Sequence, residues 1–188
     1  IILRNRFLTE TDKIKYIRAC EQAFEKKLQT VSHAVTTQKG VRIITLSGPS
    51  CSCKTTVVKK IVRDVNEQGQ SIKIISIDDF FLSRSENREE ALHRGVKIDY
   101  DAINAIDFPY FCECCDRLFS GRKAMLPVFD FVSAARTGYV ECNPADYDII
   151  AFEGIQAIYP EIRAKLSEHG FMSLFINVEG PVCIDHQV

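Results

Sequence analysis

The sequence predicts an α/β fold in which a parallel β-sheet is covered by helices on both faces and is preceded by an N-terminal helix. Short, continuous apolar runs rich in β-branched residues alternate with longer segments of helical periodicity, and such runs are typical of strands buried on both faces. The chain has 188 residues, of which 46% are hydrophobic and 26% charged. It is therefore long enough to enclose a core, and its composition excludes a disordered or low-complexity protein.

The first predicted element is a helix within residues 9–40. Thr9 and Asp12 offer N-caps, and apolar residues from Ile14 onward recur at helical spacing until the pattern fades before Gly40. We assign residues 1–40 to an N-terminal helical extension, with residues 1–8 as the tail of something upstream. Residues 41–188 form the main domain.

The main domain contains four predicted strands with helical patterns between them. The strands are residues 41–46, 72–77, 148–152 and 173–178. The helical patterns cover residues 55 to about 67, 102–120 and 160–169. Residues 83–100 are polar and charged, and we expect a mobile excursion over a site there, because segments held on a rigid scaffold often carry function.

Charge and hydropathy exclude several function classes. The formal net charge is −1, from 24 Lys and Arg against 25 Asp and Glu. The chain therefore lacks the excess of positive charge that non-specific binding to nucleic acid or a membrane surface requires. No apolar run approaches the roughly 18 residues of a membrane span, and no signal peptide opens the chain. We expect a cytoplasmic protein that binds neither nucleic acid nor membrane. The sequence leaves open whether it forms homo-oligomers.

The eight cysteines favour reduced thiols over a disulfide framework, because such frameworks are typical of short secreted chains. Cys112, Cys114 and Cys115 lie close together, but the fourth ligand and the paired C-x-x-C spacing of a structural zinc site are missing. We therefore interpret this cluster as a helix that buries some of its thiols.

The strongest chemical signal is a glycine-containing segment between a predicted strand and a predicted helix. Residues 48–55 match the phosphate-binding pattern G-x-x-x-x-G-K-[ST], except that Cys53 replaces the last glycine. In this pattern backbone N–H groups and a helix N-terminus surround a phosphate, the lysine neutralises it and the Thr hydroxyl holds Mg²⁺. The sequence thus predicts a P-loop NTPase fold. The predicted ATP-binding residues are Gly48, Pro49, Ser50, Cys51, Ser52, Cys53, Lys54, Thr55 and Thr56.

Two alternatives apply to this segment. It could be an ordinary strand–turn–helix that contains Lys-Thr by chance. If it does bind phosphate, Cys53 adds a Cβ and a sulfur where the backbone must approach the ligand closely, which would crowd the phosphate or weaken its binding.

Acidic residues follow two other predicted strands. Asp78 and Asp79 come after the second strand, and Glu153 ends the third. Ligands of open α/β sheets bind at the carboxyl ends of the strands, so a carboxylate there could accept a proton or hold a metal. A helix cap or a solvated turn is the alternative for each. Thr55 and Glu153 are the predicted Mg²⁺ residues.

Together these residues resemble the uridine kinase/phosphoribulokinase branch of P-loop kinases. Five stretches carry the resemblance in family order: residues 48–56, 76–81, 100–107, 126–131 with Arg136, and 149–154. The helix before the P-loop and the Asp-Asp-Phe-Phe sequence at residues 78–81 are most similar to those of longer uridine kinase-like proteins. In those proteins the kinase domain follows other N-terminal modules. The resemblance implies ATP- and Mg²⁺-dependent transfer of the γ-phosphoryl to a nucleoside 5′-hydroxyl, as in pyrimidine salvage.

The resemblance also implies roles for single residues. Asp78 matches the catalytic base, Lys54 the residue that acts on the ATP phosphates, and Asp101 the ligand of the ribose hydroxyls. Arg136 matches an arginine of the acceptor region. Phe129 and Ala134 replace a Tyr and a His that help to recognise the pyrimidine, so a base at this position would be stacked rather than hydrogen-bonded.

The arginine-rich lid of the family is expected after the fourth strand and is not in this sequence, so the domain is interpreted as truncated before or at the lid. Two other functions stay open. One is a kinase for another alcohol, such as pantothenate or a sugar phosphate. The other is a nucleotide-binding module with weak or no catalysis.

Overall fold

The computed structural model describes residues 9–38, 40–49, 52–95, 97, 99 and 102–177. The helices are α1 (Glu10–Thr37), α2 (Lys54–Glu67), α3 (Arg84–Arg94), α4 (Phe108–Phe119) and α5 (Pro160–Ser167). The strands are β1 (Ile43–Ser47), β2 (Ile72–Ser76), β3 (Ala124–Asp130), β4 (Ala135–Cys142), β5 (Ile149–Glu153) and β6 (Phe171–Phe175). Within these ranges no helix is long and apolar enough to cross a membrane.

Four strands form a parallel sheet in the order β2-β5-β1-β6. All five residues of β1 are buried, because the strand lies inside the sheet and helices cover both faces. Ile44 and Leu46 belong to the core beneath α1 and α2, whereas Ile43 belongs to the core beneath α4 and α5. The predicted α/β fold with a covered parallel sheet is confirmed.

Helix α1 begins with a capping box. Thr9 Oγ1 accepts a hydrogen bond from the Asp12 backbone, and the Asp12 carboxylate accepts one from the Thr9 backbone. The second half of the helix packs on α2 through the buried side chains of Leu28 and Val35. The predicted N-terminal helix is therefore confirmed. It packs on the sheet domain through the apolar stripe that includes Leu28 and Val35.

Two predicted boundaries are wrong. The helix expected over residues 102–120 begins at Phe108, because the Asp107 side chain caps it by accepting from the Tyr110 backbone and a proline follows in the first turn. Residues Ile103–Ala105 form a separate 3₁₀ turn. The strand expected over residues 173–178 is β6, which begins two residues earlier, at Phe171.

Two further elements were not predicted. The segment interpreted as a mobile excursion contains α3, which begins with reciprocal hydrogen bonds between Ser83 and Glu86. Strands β3 and β4 form an antiparallel hairpin with a register irregularity at Val128 and Phe129. Both elements lie beside the carboxyl edge of the sheet, where they build one wall of the candidate site.

Candidate active site

The described residues of the loop between β1 and α2, 48–49 and 52–53, are arranged as in a phosphate-binding loop. A Cβ at Gly48 would lie 2.3 Å from the carbonyl oxygen of Ile176, so only glycine fits where the loop passes the end of β6. The Lys54 ammonium donates to the carbonyl of Pro49 at 2.9 Å, and the Ser52 N–H donates to the same carbonyl at 3.3 Å. The loop thus curls so that the lysine and the amides at the start of α2 meet at one place.

Cys53 occupies the left-handed backbone region, with φ 63° and ψ 25°. This conformation favours glycine, which explains why the phosphate-binding pattern normally has glycine here. The chain keeps the backbone turn of the pattern although the residue type differs. The Cys53 side chain is exposed at the mouth of the loop, so its sulfur does not fill the interior of the loop.

Two carboxylates lie beside the loop at the same edge of the sheet. Ser76 and Glu153 are register partners on β2 and β5, so Asp78, two residues after Ser76, is brought close to Glu153. Burial raises the pKa of Glu153, the charge of Asp78 raises it further, and Lys54 opposes both effects. Lys54 therefore compensates the negative charge of this edge only in part.

This donor set fits a magnesium ion. Mg²⁺ takes oxygen ligands and usually binds through one or two carboxylates together with substrate phosphates. Glu153 supplies a carboxylate in surroundings that favour a nearby positive charge, and Thr55 supplies an exposed hydroxyl at the start of α2. Within the described residues no cluster of three or more His, Cys, Asp or Glu side chains forms a metal site.

Asp79 fastens the hairpin to the sheet edge. Its carboxylate accepts a hydrogen bond from the Phe129 backbone at 3.3 Å. Burial raises the pKa of Asp79, while this hydrogen bond lowers it. Asp79 thus contacts the hairpin, whereas Asp78 lies near Glu153. Of these two neighbouring carboxylates, Asp79 has a structural role and Asp78 is free to act in the site.

Arg136 lies in a cleft of about 540 Å³ between β4 and the start of α3. Its guanidinium lies over the rings of Tyr110 and Tyr139, donates to the Tyr139 hydroxyl at 3.3 Å, and pairs with the Asp107 carboxylate at 3.1 Å. The Nε atom of Arg136 is buried and has no hydrogen-bond partner in the described part of the chain. The arginine is therefore held rigidly and keeps one donor unused.

Phe129 lies opposite Arg136 on the hairpin and belongs to an aromatic cluster. Its ring centroid is 6.0 Å from that of Phe81 and 5.2 Å from that of Phe131. Phe131 is largely exposed at the hairpin turn, and Ala134 in the same turn has a φ of 50°. The apolar face beside Arg136 is suited to stack on a flat ring.

The structure brings together Lys54, Asp78 and Glu153, with Phe129 and Arg136 on the adjoining wall. Ser50, Cys51 and Asp101 are outside the described residues. Sequence reasoning missed Gln156, which is 2% exposed and donates to Asp78, and it missed the two tyrosines around Arg136. The S-x-x-E pattern at Ser83 is typical of a helix N-terminus and could have predicted the start of α3 from the sequence.

A second cavity, of about 380 Å³, lies at the amino edge of the sheet and includes Arg42 and His169. It is remote from the loop and the carboxylates, and in open α/β sheets ligands bind at the carboxyl edge. Cys114 and Cys115 of α4 are buried free thiols, and burial raises the pKa of both. Cys114 lies within hydrogen-bonding distance of Tyr110, one of the two tyrosines around Arg136. The prediction of buried thiols on a helix is confirmed.

Comparison with known proteins agrees with this geometry. Residues 43–188 match the model of the phosphoribulokinase/uridine kinase family. The chain belongs to this family. It is 31% identical over 170 residues to a uridine kinase of Schizosaccharomyces pombe, a match that covers 89% of this chain and 35% of that protein. A uridine kinase of Lactobacillus helveticus is 32% identical over 120 residues, covering 63% of this chain and 54% of that protein.

A solved structure described as a possible uridine kinase from Bacillus stearothermophilus has the same fold. The TM-score is 0.66 at 19% identity, and the superposition covers 81% of this chain and 80% of that one. Against the first curated relatives the chain spans about a third of their length, 35%, 29% and 32% in three cases. What family membership establishes for this chain is therefore a P-loop kinase fold.

Proposed function

We propose that the protein is an ATP-dependent nucleoside kinase that transfers the γ-phosphoryl of ATP to the 5′-hydroxyl of the nucleoside. One observation carries the proposal: the P-loop lysine and the carboxylates of Asp78 and Glu153 meet at one sheet edge, beside a cleft that contains a rigid arginine. Phosphoryl transfer needs alignment and neutralisation of charge more than covalent help from the protein, and these groups supply both.

Each group has a role in this reaction. The amides at the start of α2 and the Lys54 ammonium bind the phosphates of ATP. Asp78 accepts the proton of the 5′-hydroxyl. The hydroxyl oxygen forms a bond to the γ-phosphorus while the bond between the γ-phosphorus and the bridging β-phosphate oxygen breaks, which releases ADP. Thr55 and Glu153 would hold Mg²⁺, which when bound neutralises charge on the phosphates.

The acceptor is placed by the hairpin wall. Asp101 would bind the ribose hydroxyls, Phe129 would stack on the base, and Arg136 would fix the acceptor from the cleft. We propose a nucleoside with a pyrimidine base as the acceptor, and pyrimidine salvage in the cytoplasm as the role of the protein. We assign this activity to a kinase domain at residues 41–188 that follows a helical extension at residues 1–40.

A panel of acceptors tests the proposal. The full chain is incubated with γ-labelled ATP and Mg²⁺ together with uridine, cytidine, adenosine, pantothenate or fructose 1-phosphate, and labelled products are separated. We expect label on a nucleoside, with Lys54→Met abolishing it. Label on pantothenate or a sugar phosphate alone would identify another small-molecule kinase on the same fold.

A second candidate, a nucleotide-binding module without catalysis, is favoured by Cys53. Its exposed side chain at the mouth of the loop would lie on the path by which ATP reaches the loop backbone. Tight binding of ATP with no label on any acceptor would support this candidate. Turnover of a nucleoside would exclude it.

A further inference from the structure

Gln156 lies next to the proposed base and is the most thoroughly buried polar side chain of the site. Strands β2 and β5 are neighbours, and each leads into a 3₁₀ turn, Ile77–Phe80 directly after β2 and Ile155–Ile158 one residue after β5. The first turn carries Asp78 and the second carries Gln156. The Gln156 Nε2 donates to the Asp78 Oδ1 at 2.8 Å, although the two residues are 78 positions apart in the chain.

The orientation of the Gln156 amide follows from the chemistry of its partner. An ionised carboxylate only accepts hydrogen bonds, so the NH₂ group must point to Asp78 and the carbonyl must point away from it. That carbonyl oxygen, Oε1, is buried and has no hydrogen-bond partner among the described residues. A buried acceptor without a partner costs stability, so the hydrogen bond to Asp78 is the polar contact that this amide makes among the described residues.

The space around the amide is fitted closely. A Cβ at Gly154 would lie 2.6 Å from the Gln156 Oε1 and 3.1 Å from the Ile77 Cβ, so glycine at this position lets the amide and the turn that carries Asp78 approach each other. The amide occupies the space that a side chain at residue 154 would fill, and its hydrogen bond to Asp78 holds it there. Of the two oxygens of Asp78, it fixes Oδ1, while Oδ2 receives no hydrogen bond in the described part of the chain.

We infer that Gln156 is a positioning residue for phosphoryl transfer: its amide holds Oδ1 of Asp78 so that Oδ2 is aimed at the proton of the acceptor hydroxyl. The inference rests on the proposed role of Asp78 as the base. Gln156 itself contacts neither the acceptor nor the phosphates; it acts on the reaction through the carboxylate. Glu153 would repel an unrestrained Asp78 carboxylate, and the amide opposes that displacement.

The test uses variants of the full chain assayed with uridine and γ-labelled ATP. Gln156→Met removes the amide and keeps the length of the side chain. We expect kcat to fall about tenfold to a hundredfold, as for other residues that orient a reacting group. The KM for ATP should not change, and Tm should be equal or higher because the unpartnered carbonyl is gone. A purely structural role predicts the opposite, a lower Tm.

Two further variants complete the design. Gln156→Asn keeps the amide but is one methylene shorter, so it should also lower kcat with an unchanged KM for ATP. Gln70→Met is the matched control, because Gln70 likewise has a buried, unpartnered Oε1 but precedes β2 at the opposite edge of the sheet. It should leave kcat unchanged.

Asp78→Asn separates the two proposals. If it abolishes turnover while Gln156→Met and Gln156→Asn retain the wild-type kcat, the inference on Gln156 is overturned and the proposed function stands. A lower kcat that comes with a lower Tm and a higher KM for ATP would assign Gln156 to the structure alone and would also overturn the inference. If Asp78→Asn retains turnover, Asp78 is not the base and the inference on Gln156 fails, while the kinase proposal stands. If the wild-type chain shows no turnover, both proposals fail together.

Discussion

Asp78 and Glu153 lie at the ends of adjacent parallel strands, and the charge of Asp78 adds to the burial that raises the pKa of Glu153. Two carboxylates are thereby held together, with the Lys54 ammonium beside Glu153. This arrangement costs stability in the protein alone and becomes favourable when a cation is added. It is the expected electrostatic signature of a site that binds a metal–nucleotide complex.

Replacing Glu153 by Gln should therefore stabilise the ligand-free protein. Because the pKa of Glu153 is raised above its ordinary value of 4.5 on folding, the folded state binds more protons than the unfolded state and loses stability as the pH rises through this range. We expect the Tm of Glu153→Gln to exceed that of the wild type by a few degrees at pH 7 and to equal it below about pH 4. Calorimetry across this pH range measures the difference.

The same variant should lose its response to magnesium. Glu141→Gln is a suitable control, because Glu141 is an exposed carboxylate paired with Lys123 on the hairpin. Only Glu153→Gln should show a smaller rise in Tm on addition of MgATP. An unchanged Tm of ligand-free Glu153→Gln at neutral pH would contradict this account of the sheet edge.

Cys53→Gly should strengthen the binding of nucleotide. The substitution removes a side chain from the mouth of the loop, where it hinders the approach of the phosphates. It also relieves a left-handed backbone that costs a non-glycine residue roughly 1 kcal/mol or more of folding stability. We expect the Kd for MgATP to fall severalfold in a titration. Ala134→Gly relieves a similar conformation, φ 50°, in the hairpin turn and should leave that Kd unchanged. Equal effects of the two variants would argue against a special role for residue 53.

The sequence predicted the sheet and the phosphate loop because both depend on local signals. Continuous apolar strands such as β1 can be recognised from composition, and the loop follows a fixed spacing of glycine, lysine and threonine. The hairpin was missed because it is half exposed: Met125 and Val128 face solvent, which breaks the apolar run that marks a buried strand. Its position beside Arg136 depends on tertiary packing.

Gln156 illustrates a second limit of prediction from the sequence. Nothing in a stretch of sequence distinguishes a glutamine that faces solvent from one that contacts a carboxylate 78 positions away. The pairing of β2 with β5 creates that contact, and strand order is not a local property of the chain. The start of α3, in contrast, was available from the sequence, since Ser83 and Glu86 have the spacing of a capping box.

Arg136→Lys should impair the acceptor site and not the nucleotide site. Lysine keeps the charge but cannot hold Asp107 and lie across two tyrosine rings with a planar group. We expect the KM for the nucleoside to rise about tenfold, with little change in the KM for ATP. The control is Arg42→Lys at the amino edge, where the guanidinium donates to the carbonyls of Tyr147 and Asp148. A rise in the KM for ATP alone would indicate that Arg136 contacts ATP and not the nucleoside, and would contradict this prediction.

Alkylation should distinguish the cysteines. Cys20 and Cys53 are exposed, whereas burial raises the pKa of Cys114 to about 11 and that of Cys115 still further. At pH 8, iodoacetamide should label Cys20 and Cys53 within minutes and spare the other two until the protein is denatured. Peptide mass spectrometry gives the extent at each site.

Saturating MgATP should protect Cys53 from this reagent and leave the labelling of Cys20 unchanged, because Cys20 lies on α1, away from the loop. Protection of both cysteines would indicate a general closure of the protein instead of occupation of the loop. Protection of neither would argue that the phosphates do not bind at residue 53.

Titration of the full chain with MgATP in a calorimeter tests the central claim most directly. Lys54→Met and Lys59→Met are compared with the wild type, because both lysines lie on α2 but only Lys54 reaches into the loop, at the Pro49 carbonyl. We predict saturable binding to the wild type and to Lys59→Met, and at least a roughly tenfold weaker affinity for Lys54→Met. A folded wild-type chain that gives no binding heat, or a Lys54→Met variant that binds as tightly as the wild type, would contradict the claim.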